Sequence, residues 1–364
     1  MDAFAEMKEM GHERVLLCSN PAVGLQAIIA IHSTVLGPGL GGTRMWPYES
    51  FEAAMTDALR LSRGMTYKAA AAGINLGGAK AVIFGDPKKD KSEALFRAFG
   101  RFVDSLGGHY ITAEDVGTNT SDMELIAQET PWVTGVAPEL GGGGDPSPVT
   151  ALGVLQGIRA SAQTLWGSTD LEGRTVAIQG LGSVGGYLAG YLKEEGARLV
   201  GSDIDADAIQ QAQALGVAIV APEAIYDVDC DIFAPCALGA ILNDDTLPRL
   251  KAKAVAGGAN NQLADPARHG AEIARREILY APDFVINAGG LINVFQEFIG
   301  YDQERALRRA KGIFDNVLRV FSIARRDGVP TAVAADRMAE ARIADVKSLG
   351  PRHWDRAVLE RLAN

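Results

Sequence analysis

The order of apolar and polar residues divides the first part of the chain into short predicted strands and amphipathic helices. Runs rich in β-branched and apolar residues predict strands, whereas apolar residues that repeat at intervals of three and four predict helices. The predicted strands cover residues 15–18, 25–32, 81–84 and 110–112, and the predicted helices cover residues 51–65, 91–106 and 121–128. Residues 37–42 and 73–79 are rich in glycine, and we interpret both segments as loops.

In the second part of the chain, six short apolar runs separated by helical stretches predict a doubly wound parallel sheet. The six runs cover residues 175–179, 198–203, 217–220, 231–234, 254–257 and 284–286, and the longer helical patterns cover residues 149–165, 302–326 and 331–346. Residues 135–147 include four consecutive glycines and predict a domain boundary, either as a hinge or as a disordered surface loop. We therefore expect an α/β protein of two domains separated by a cleft. The first domain covers residues 1–135, and the second covers residues 149–328.

A glycine motif marks the start of the second domain. Gly180, Gly182 and Gly185 form a G-x-G-x-x-G turn between an apolar run and a predicted helix, and Asp203 ends the next run 21 residues after Gly182 (203 − 182). This context is typical of dinucleotide binding, in which the helix N-terminus meets the pyrophosphate. The alternative is a tight strand–helix turn without a ligand. An acidic residue at position 203 accepts hydrogen bonds from ribose hydroxyls and repels a 2′-phosphate, which favours NAD over NADP.

Composition excludes several classes of protein. The 364 residues carry a net charge of −10, which argues against nucleic acid as the main partner. No apolar run reaches the roughly 20 residues that a membrane helix needs, and the N-terminus does not resemble a signal peptide. Three cysteines indicate a reducing cytoplasm rather than a disulfide framework. Five scattered histidines show no metal-ligand spacing, so we expect no metal.

The glycine-rich stretch over residues 37–80 carries two candidate catalytic lysines, Lys68 and Lys80. Small apolar neighbours disfavour an ammonium, which lowers a lysine pKa towards that of a general base. The alternative is that both lysines are solvated surface residues. Asp115 follows the predicted strand 110–112, where a carboxylate would face a cleft, although it could instead cap the helix that begins near Thr120.

Four motifs in this order carry a resemblance: GPGLGGTRMW, RGMTYK, GINLGGAK and ITAEDVGT. Together they resemble the glutamate/leucine/phenylalanine/valine dehydrogenase family, over about residues 4–343. The resemblance implies an NAD-dependent, reversible oxidative deamination of an L-amino acid to a 2-oxo acid and ammonia by a homo-oligomer. It also implies that residues 1–135 form a catalytic α/β domain and that residues 149–328 form a Rossmann-type, doubly wound NAD-binding domain. The C-terminal helix, within residues 331–364, is expected to pack back on the first domain.

The same resemblance implies roles for individual residues. Lys68 binds the substrate α-carboxylate, together with Asn261 or with a backbone amide near Gly41 and Gly42. Lys80 is the general base that activates water, and Asp115 carries protons to and from the amino nitrogen. Thr150 contacts the nicotinamide amide, and Asn261 lies near both nicotinamide and substrate. The full set of expected cofactor-binding residues is Thr150, Gly180, Gly182, Ser183, Val184, Gly185, Asp203, Ile204, Cys236, Ala237, Ala259 and Asn261. We interpret Cys236 as packing rather than as a nucleophile, because no histidine partner is evident.

The positions that match the family's side-chain pocket are aliphatic, namely Leu40, Ala113, Leu291 and Val294. They favour leucine, valine and isoleucine, whereas plain core packing is the alternative explanation. A phenylalanine-type dehydrogenase or a non-catalytic NAD-binding protein are the competing functions. Two positions depart from the pattern of the leucine-specific members: Leu291 stands where we expect valine, and Asn260 where we expect aspartate.

Overall fold

The structure is a computed structural model that describes residues 2–350. These residues form two compact units, the first from residues 2–144, Val294–Gln303 and 339–350, and the second from Asp145–Asn293 and Glu304–Met338. Among residues 2–350 no helix has the length and apolar character needed to cross a membrane.

The first unit contains a five-stranded mixed sheet with helices on both faces. Its strands are β1 (Arg14–Asn20), β2 (Leu25–Ser33), β3 (Gly39–Trp46), β4 (Gly77–Phe84) and β5 (Tyr110–Glu114), and its helices are α1 (Ala3–Met10), α2 (Phe51–Ala71), α3 (Glu93–Asp104) and α4 (Thr120–Ala127). The strand order is β1-β2-β4-β3-β5. β1 and β4 run antiparallel to β2, whereas β3 runs parallel to both β4 and β5.

Strict alternation along the strands separates two apolar layers. Ile29 and Ile31 of β2 pack with Ala81 of β4 against α3 and α4, whereas Ile28 of β2 and Val82 of β4 pack against α2. Successive side chains of a strand point to opposite faces, so Lys80 lies on the same face as Val82, towards α2. Ser50 is the N-cap of this helix, since its Oγ accepts a hydrogen bond from the Ala53 amide at 3.1 Å.

Part of each segment that we interpreted as a glycine loop is strand, namely residues 39–42 and 77–79, whereas residues 73–76 lie outside the strands and helices. β3 begins at Gly39 and β4 at Gly77, and both strands lie inside the sheet. The reason is close backbone approach: a Cβ atom on Gly41 would lie 1.6 Å from the carbonyl oxygen of Ala79, and one on Gly78 would lie 2.1 Å from the Thr66 amide nitrogen of α2. Glycine here serves packing rather than turning, which composition alone does not distinguish.

The second unit is the predicted doubly wound sheet. Its strands are β6 (Thr175–Gln179), β7 (Arg198–Ser202), β8 (Ala218–Ile219), β9 (Ile232–Pro235), β10 (Ala254–Val255) and β11 (Leu279–Tyr280). The helices from here to the end of the described chain are α5 (Ser147–Trp166), α6 (Ser183–Glu194), α7 (Ala206–Ala214), α8 (Pro266–Arg275), α9 (Asp283–Ile286), α10 (Gly289–Phe298), α11 (Gln303–Lys311), α12 (Ile313–Asp327) and α13 (Thr331–Lys347). Of these, α10 and α13 are divided between the two units. All strand pairs are parallel, in the order β11-β10-β9-β6-β7-β8. This order reverses direction next to β6, and ligands of such sheets bind at that switch point.

Two predicted elements of this region are wrong. The apolar run 284–286 is a turn of helix, α9, and the sixth strand is the preceding pair Leu279–Tyr280. A run this short has no periodicity that separates strand from helix. The predicted helix 302–326 is two helices, α11 and α12, which meet at Gly312. Glycine inside a helical pattern lowers helix stability, so an interruption there is physically reasonable.

The described end of α13 is fastened to α2. Arg342 Nη1 donates hydrogen bonds to the carbonyl oxygens of Ala69, Ala70 and Ile74, and its Nη2 donates to Asn75 Oδ1 at 2.8 Å. The last carbonyl groups of a helix have no partner within the helix, so this guanidinium satisfies part of the α2 C-terminus. The predicted helix 331–364 extends past residue 350, and that portion lies outside the described residues.

The glycine contacts make a stability prediction. Gly41→Ala should destabilise the protein by about 3 kcal/mol or more, because the new methyl group would overlap the Ala79 carbonyl. Gly64→Ala is the matched control, since Gly64 is exposed inside α2 and its Cβ would meet no atom within 4 Å. It should stabilise the protein by about 0.5–1 kcal/mol. Urea unfolding followed by circular dichroism measures both, and equal midpoints for Gly41→Ala and the parent would contradict the described approach of β3 to β4.

Candidate active site

A buried ion pair joins the predicted general base to the predicted proton carrier. Lys80 Nζ lies 2.7 Å from Asp115 Oδ2, and the lysine side chain is 7% exposed. Burial lowers the pKa of Lys80, and the negative charge of Asp115 opposes that shift without cancelling it. Burial raises the pKa of Asp115, but the charges of Lys80 and Arg44 outweigh it and hold the pKa below its usual range. The pair is therefore an ammonium that releases its proton unusually easily beside an ionised carboxylate.

The turn after β5 places Asp115. Its amide donates to Thr118 Oγ1 at 2.9 Å, and that hydroxyl lies 2.8 Å from the carbonyl oxygen of Thr43 in β3. Gly117 has φ +83°, and a Cβ there would lie 2.0 Å from the Met45 carbonyl oxygen. The alternative role of Asp115 as a helix cap is wrong, because Asn119 caps α4 in a reciprocal capping box.

Arg44, which the sequence analysis missed, ties this pair to α2. Its Nε donates to Asp115 Oδ2 at 2.9 Å, and its Nη1 donates to Asp57 Oδ2 at 2.7 Å. The hydroxyl of Tyr48 also donates to that Asp57 oxygen at 2.7 Å, and Arg60 holds the other one at 3.1 Å. The sequence did contain a signal for Arg44. Gly42, Thr43 and Arg44 belong to an extended run in which alternate side chains share a face, but we had assigned the start of that run to a loop.

Lys68 and the first half of the aliphatic set belong to the same unit. Lys68 lies in the last turn of α2 and is partly buried. Leu40 and Ala113 are buried on the neighbouring strands β3 and β5, where Gly42 faces Ala113 in register. Leu291 and Val294 lie three residues apart on α10, the first buried and the second partly buried.

The glycine turn of the second unit has the features of a phosphate cradle. Gly180 adopts φ +90°, and a Cβ on Gly185 would lie 1.9 Å from the Gly180 carbonyl oxygen, which brings the turn against α6. A Cβ on Gly182 would meet no atom within 4 Å. Gly182 is also the N-cap of α6, without a side-chain cap, so the amides of Ser183 and Val184 in its first turn meet no capping side chain. These residues fit a pyrophosphate, since an anion can take the place of the missing cap.

Asp203, which follows β7, binds this turn through hydrogen bonds from backbone amides. Its Oδ2 accepts the Leu181 amide at 2.6 Å, and its Oδ1 accepts the amides of Ile204 and Asp205 at 2.7 and 2.9 Å. Burial raises the pKa of Asp203, but these backbone donors outweigh it and hold the pKa below its usual value. The carboxylate is therefore ionised and pointed at the glycine turn, and the Ile204 side chain beside it is 91% exposed.

The loops after β9 and β10 lie against this turn. The Ala237 side chain would lie 2.6 Å from a Cβ on Gly180, and the Ala240 amide donates to the Asn261 carbonyl oxygen at 2.7 Å. Asn261 adopts φ +49°, a conformation that residues other than glycine rarely take outside turns and functional sites. Asn260 has a partner here, because Asn287 Nδ2 donates to its Oδ1 at 2.8 Å. An aspartate could accept the same bond, so the departure at position 260 changes the charge of the loop rather than its connection.

The remaining predicted cofactor residues also belong to the second unit. Ala259 is buried, and its carbonyl oxygen accepts a hydrogen bond from Gln262 Nε2 at 3.0 Å. Thr150 lies in the first turn of α5, where its hydroxyl donates to the Pro146 carbonyl oxygen at 3.0 Å. Burial raises the pKa of Cys236 to about 11, which keeps the thiol protonated and agrees with a packing role.

Comparison with known proteins identifies the family. Residues 12–132 match the dimerisation domain of the Glu/Leu/Phe/Val dehydrogenases, and residues 141–220 and 204–348 match the Glutamate/Leucine/Phenylalanine/Valine dehydrogenase domain. This chain belongs to the glutamate/leucine/phenylalanine/valine dehydrogenase family. It is accordingly an amino acid dehydrogenase, an oxidoreductase that acts on CH–NH2 donors with a nicotinamide cofactor.

Individual relatives of this dehydrogenase span several substrates. It is 58% identical over 344 residues to a leucine dehydrogenase of Geobacillus stearothermophilus, covering 94% of each chain. It is 52% identical over 341 residues to a valine dehydrogenase of Streptomyces virginiae, covering 93% of this chain and 95% of that one. A crystal structure of L-tryptophan dehydrogenase from Nostoc punctiforme superposes with a TM-score of 0.86 at 49% identity, covering 94% of this chain and 99% of that one.

Proposed function

We propose that this amino acid dehydrogenase catalyses the reversible, NAD-dependent oxidative deamination of leucine, valine and isoleucine. The observation that carries the chemistry is the buried contact of Lys80 with Asp115 at 2.7 Å, because it pairs a lysine of lowered pKa with an ionised carboxylate. The substrate class is supported by the leucine and valine dehydrogenases at 52–58% identity and by the buried aliphatic side chains Leu40, Ala113 and Leu291.

The proposed roles follow from charge and position. Lys68, at the end of α2, supplies a cation for the substrate α-carboxylate, and Asn261 or a backbone amide near Gly41 and Gly42 adds a hydrogen bond. Bound NAD would supply the acceptor for the hydride that the α-carbon loses. The neutral amine of Lys80 then takes a proton from a water molecule as the water oxygen adds to that carbon. Asp115 takes a proton from the substrate ammonium before the hydride leaves, and it returns that proton to the amino nitrogen after water has added. The C–N bond then breaks and the hydroxyl proton leaves with the ammonia, which gives the 2-oxo acid.

The residues proposed to hold the cofactor lie around the glycine turn. The amides of Ser183 and Val184 bind the pyrophosphate, the carboxylate of Asp203 binds the adenosine ribose, and Ile204 packs against the adenine. Thr150 and the loops that contain Cys236, Ala237, Ala259 and Asn261 border the nicotinamide. We further propose that the protein is a homo-oligomer, which the dimerisation-domain match supports, and sedimentation of the purified chain tests this assembly. We also propose that it works in the reducing cytoplasm, which the three free cysteines support.

An amino acid panel read by NADH formation tests the substrate class. We expect kcat/KM for leucine, valine or isoleucine to exceed that for phenylalanine, tryptophan and glutamate by about tenfold or more, since pocket differences of this kind change discrimination by about 1–3 kcal/mol. A preference for an aromatic substrate would overturn the pocket assignment, and NADH binding without turnover of any amino acid would favour the non-catalytic alternative.

Replacement of the general base tests the mechanism. Lys80→Ala should lower kcat at least about a hundredfold, the usual contribution of acid–base catalysis. NADH affinity should stay near that of the parent, because the turn that binds the cofactor lies in the second unit and Asp115 keeps its contact with Arg44. Lys89→Ala is the control, since that lysine is 78% exposed and forms an ion pair with the surface residue Asp86. Near-normal turnover by Lys80→Ala would refute the assignment.

Replacement of the ribose carboxylate tests the choice of cofactor. Asp203→Ser should reduce the preference for NAD over NADP by about tenfold or more, because it removes a charge that repels the 2′-phosphate. Asp203→Asn is a second variant that retains an acceptor for the Leu181 amide. Asp207→Ser, which removes an exposed carboxylate from the first turn of α7, should leave the ratio of kcat/KM values unchanged. An unaltered ratio in both position-203 variants would contradict the proposed ribose contact.

A further inference from the structure

Two cations meet a single oxygen atom at the centre of the candidate active site. Asp115 Oδ2 lies 2.7 Å from Lys80 Nζ and 2.9 Å from Arg44 Nε. The other arm of the guanidinium reaches Asp57 Oδ2 at 2.7 Å, so Arg44 connects the turn after β5 to α2. The Arg44 side chain is 24% exposed, which means that this connection lies mostly out of bulk solvent.

The position of Arg44 follows from the sheet. It pairs in register with Val82 of β4, two residues after Lys80, so both basic side chains lie on the face covered by α2. On the other side, β3 pairs with β5 up to Thr43 and Glu114, immediately before Arg44 and Asp115. Gly42 allows the contact, because a Cβ there would lie 2.8 Å from the Asp115 Cβ.

The charges of the four groups change during the proposed reaction. With Lys80 protonated, two cations balance Asp57 and Asp115. When Lys80 is a neutral amine, Arg44 remains as the cation bound to both carboxylates. An ionised carboxylate that loses its partner in a buried site becomes costly, and it would otherwise move or take up a proton. A guanidinium suits this task, since it stays charged and its fixed fork bridges two acceptors.

We propose that Arg44 is a positioning residue for the deamination chemistry: by binding the Asp115 oxygen that also meets Lys80, it keeps the carboxylate in place when Lys80 is neutral. This inference rests on the proposed function, because it assumes that Lys80 is the base and Asp115 the proton carrier. Arg44 acts through these two residues and is not itself assigned a contact with the substrate.

The electrostatic effect of Arg44 has a definite sign. Burial is the main cause of the lowered pKa of Lys80, and the positive charge of Arg44 lowers that pKa further. The same charge lowers the pKa of Asp115. Removing the guanidinium must therefore raise both pKa values. A base is active only when deprotonated, so the ascending limb of kcat/KM against pH should move to higher pH.

Other charged and titratable groups lie on the elements that pack around the pair. From α2 and the segment before it come Asp57, Arg60 and Tyr48, of which Asp57 raises the pKa of Lys80. Lys68 also belongs to α2. From β5 come Tyr110 and Glu114; the hydroxyl of Tyr110 donates to the Gly41 carbonyl oxygen at 2.9 Å.

Three variants separate this role from a general loss of structure. Arg44→Gln should lower kcat/KM about tenfold or more and move the ascending limb to higher pH. Arg44→Lys retains a cation but cannot bridge two carboxylates, so the limb should return towards its original pH while kcat stays below that of the parent. Arg60→Gln is the matched control: it breaks a 3.1 Å contact with the same Asp57, leaves Arg44 in place, and should change neither quantity.

The measurements are full pH profiles with leucine and NAD, together with NADH affinity by fluorescence. An ascending limb at the same pH in Arg44→Gln as in the parent would overturn the proposal, and so would an equal shift in Arg60→Gln. If Arg44→Gln does not fold, Arg44→Lys decides: parental kcat in that variant overturns the proposal, and a lowered kcat with parental NADH affinity supports it. Failure of the proposed function is distinct, because Lys80→Ala would then be active.

Discussion

Burial of the Lys80 ammonium is the constraint on which the candidate active site depends. An unpaired charge of this kind inside a protein costs several kcal/mol, and the protein either pairs it or removes its proton. Here the contact with Asp115 holds the charge, while desolvation makes the proton easy to lose. Because desolvation outweighs the attraction of Asp115, the protonated and neutral forms of Lys80 lie closer in free energy at neutral pH than in an exposed lysine. A base that must cycle between these forms benefits from that small difference.

The close approach of backbone segments around the Lys80–Asp115 pair depends on glycines, which have no side chain. A Cβ atom on Gly41 or Gly42 would collide with the Ala79 carbonyl or with the turn that contains Asp115. Similar collisions would occur at Gly185 in the second unit, where α6 meets the turn after β6. The two sites use glycine for the same physical reason, since backbone amides or functional side chains must come closer together than ordinary residues allow. Glycine thus positions the reactive and phosphate-binding groups without contributing a group of its own.

The two regions differed in how far their structure could be predicted. The fold of the second unit could be predicted because G-x-G-x-x-G, the preceding strand and Asp203 form a local pattern with fixed spacing. The strands around this pattern are apolar runs separated by helices, which the sequence also shows. Its errors were at short or interrupted elements, namely the run 284–286 and the break at Gly312. There the competing states differ by tertiary packing and not by local pattern.

The first unit illustrates the opposite case. Lys80, Lys68 and Asp115 were singled out by their glycine-rich or strand-end positions and given roles by the family resemblance, whereas their surroundings were not predicted. Segments 37–42 and 73–79 have the composition of loops, and only the sheet explains why glycines are needed in its interior. Arg44 was missed as a consequence, because a residue assigned to the edge of a loop has no predictable face. Its partner Asp57 is 13 residues away and Asp115 is 71 residues away, so no local pattern connects them.

This difference has a physical origin that bears on how the site works. The glycine turn contacts a strand and a helix that are its neighbours in sequence, so the local residues determine its conformation. The Lys80–Asp115–Arg44 arrangement instead joins three strands and a helix, and each of its ionised groups is tolerable only because the others are present. Removing one member leaves a buried charge on the next. Each charge of the network therefore stabilises the others, and the ease with which Lys80 loses its proton depends on Asp115 and Arg44 as well as on Lys80 itself.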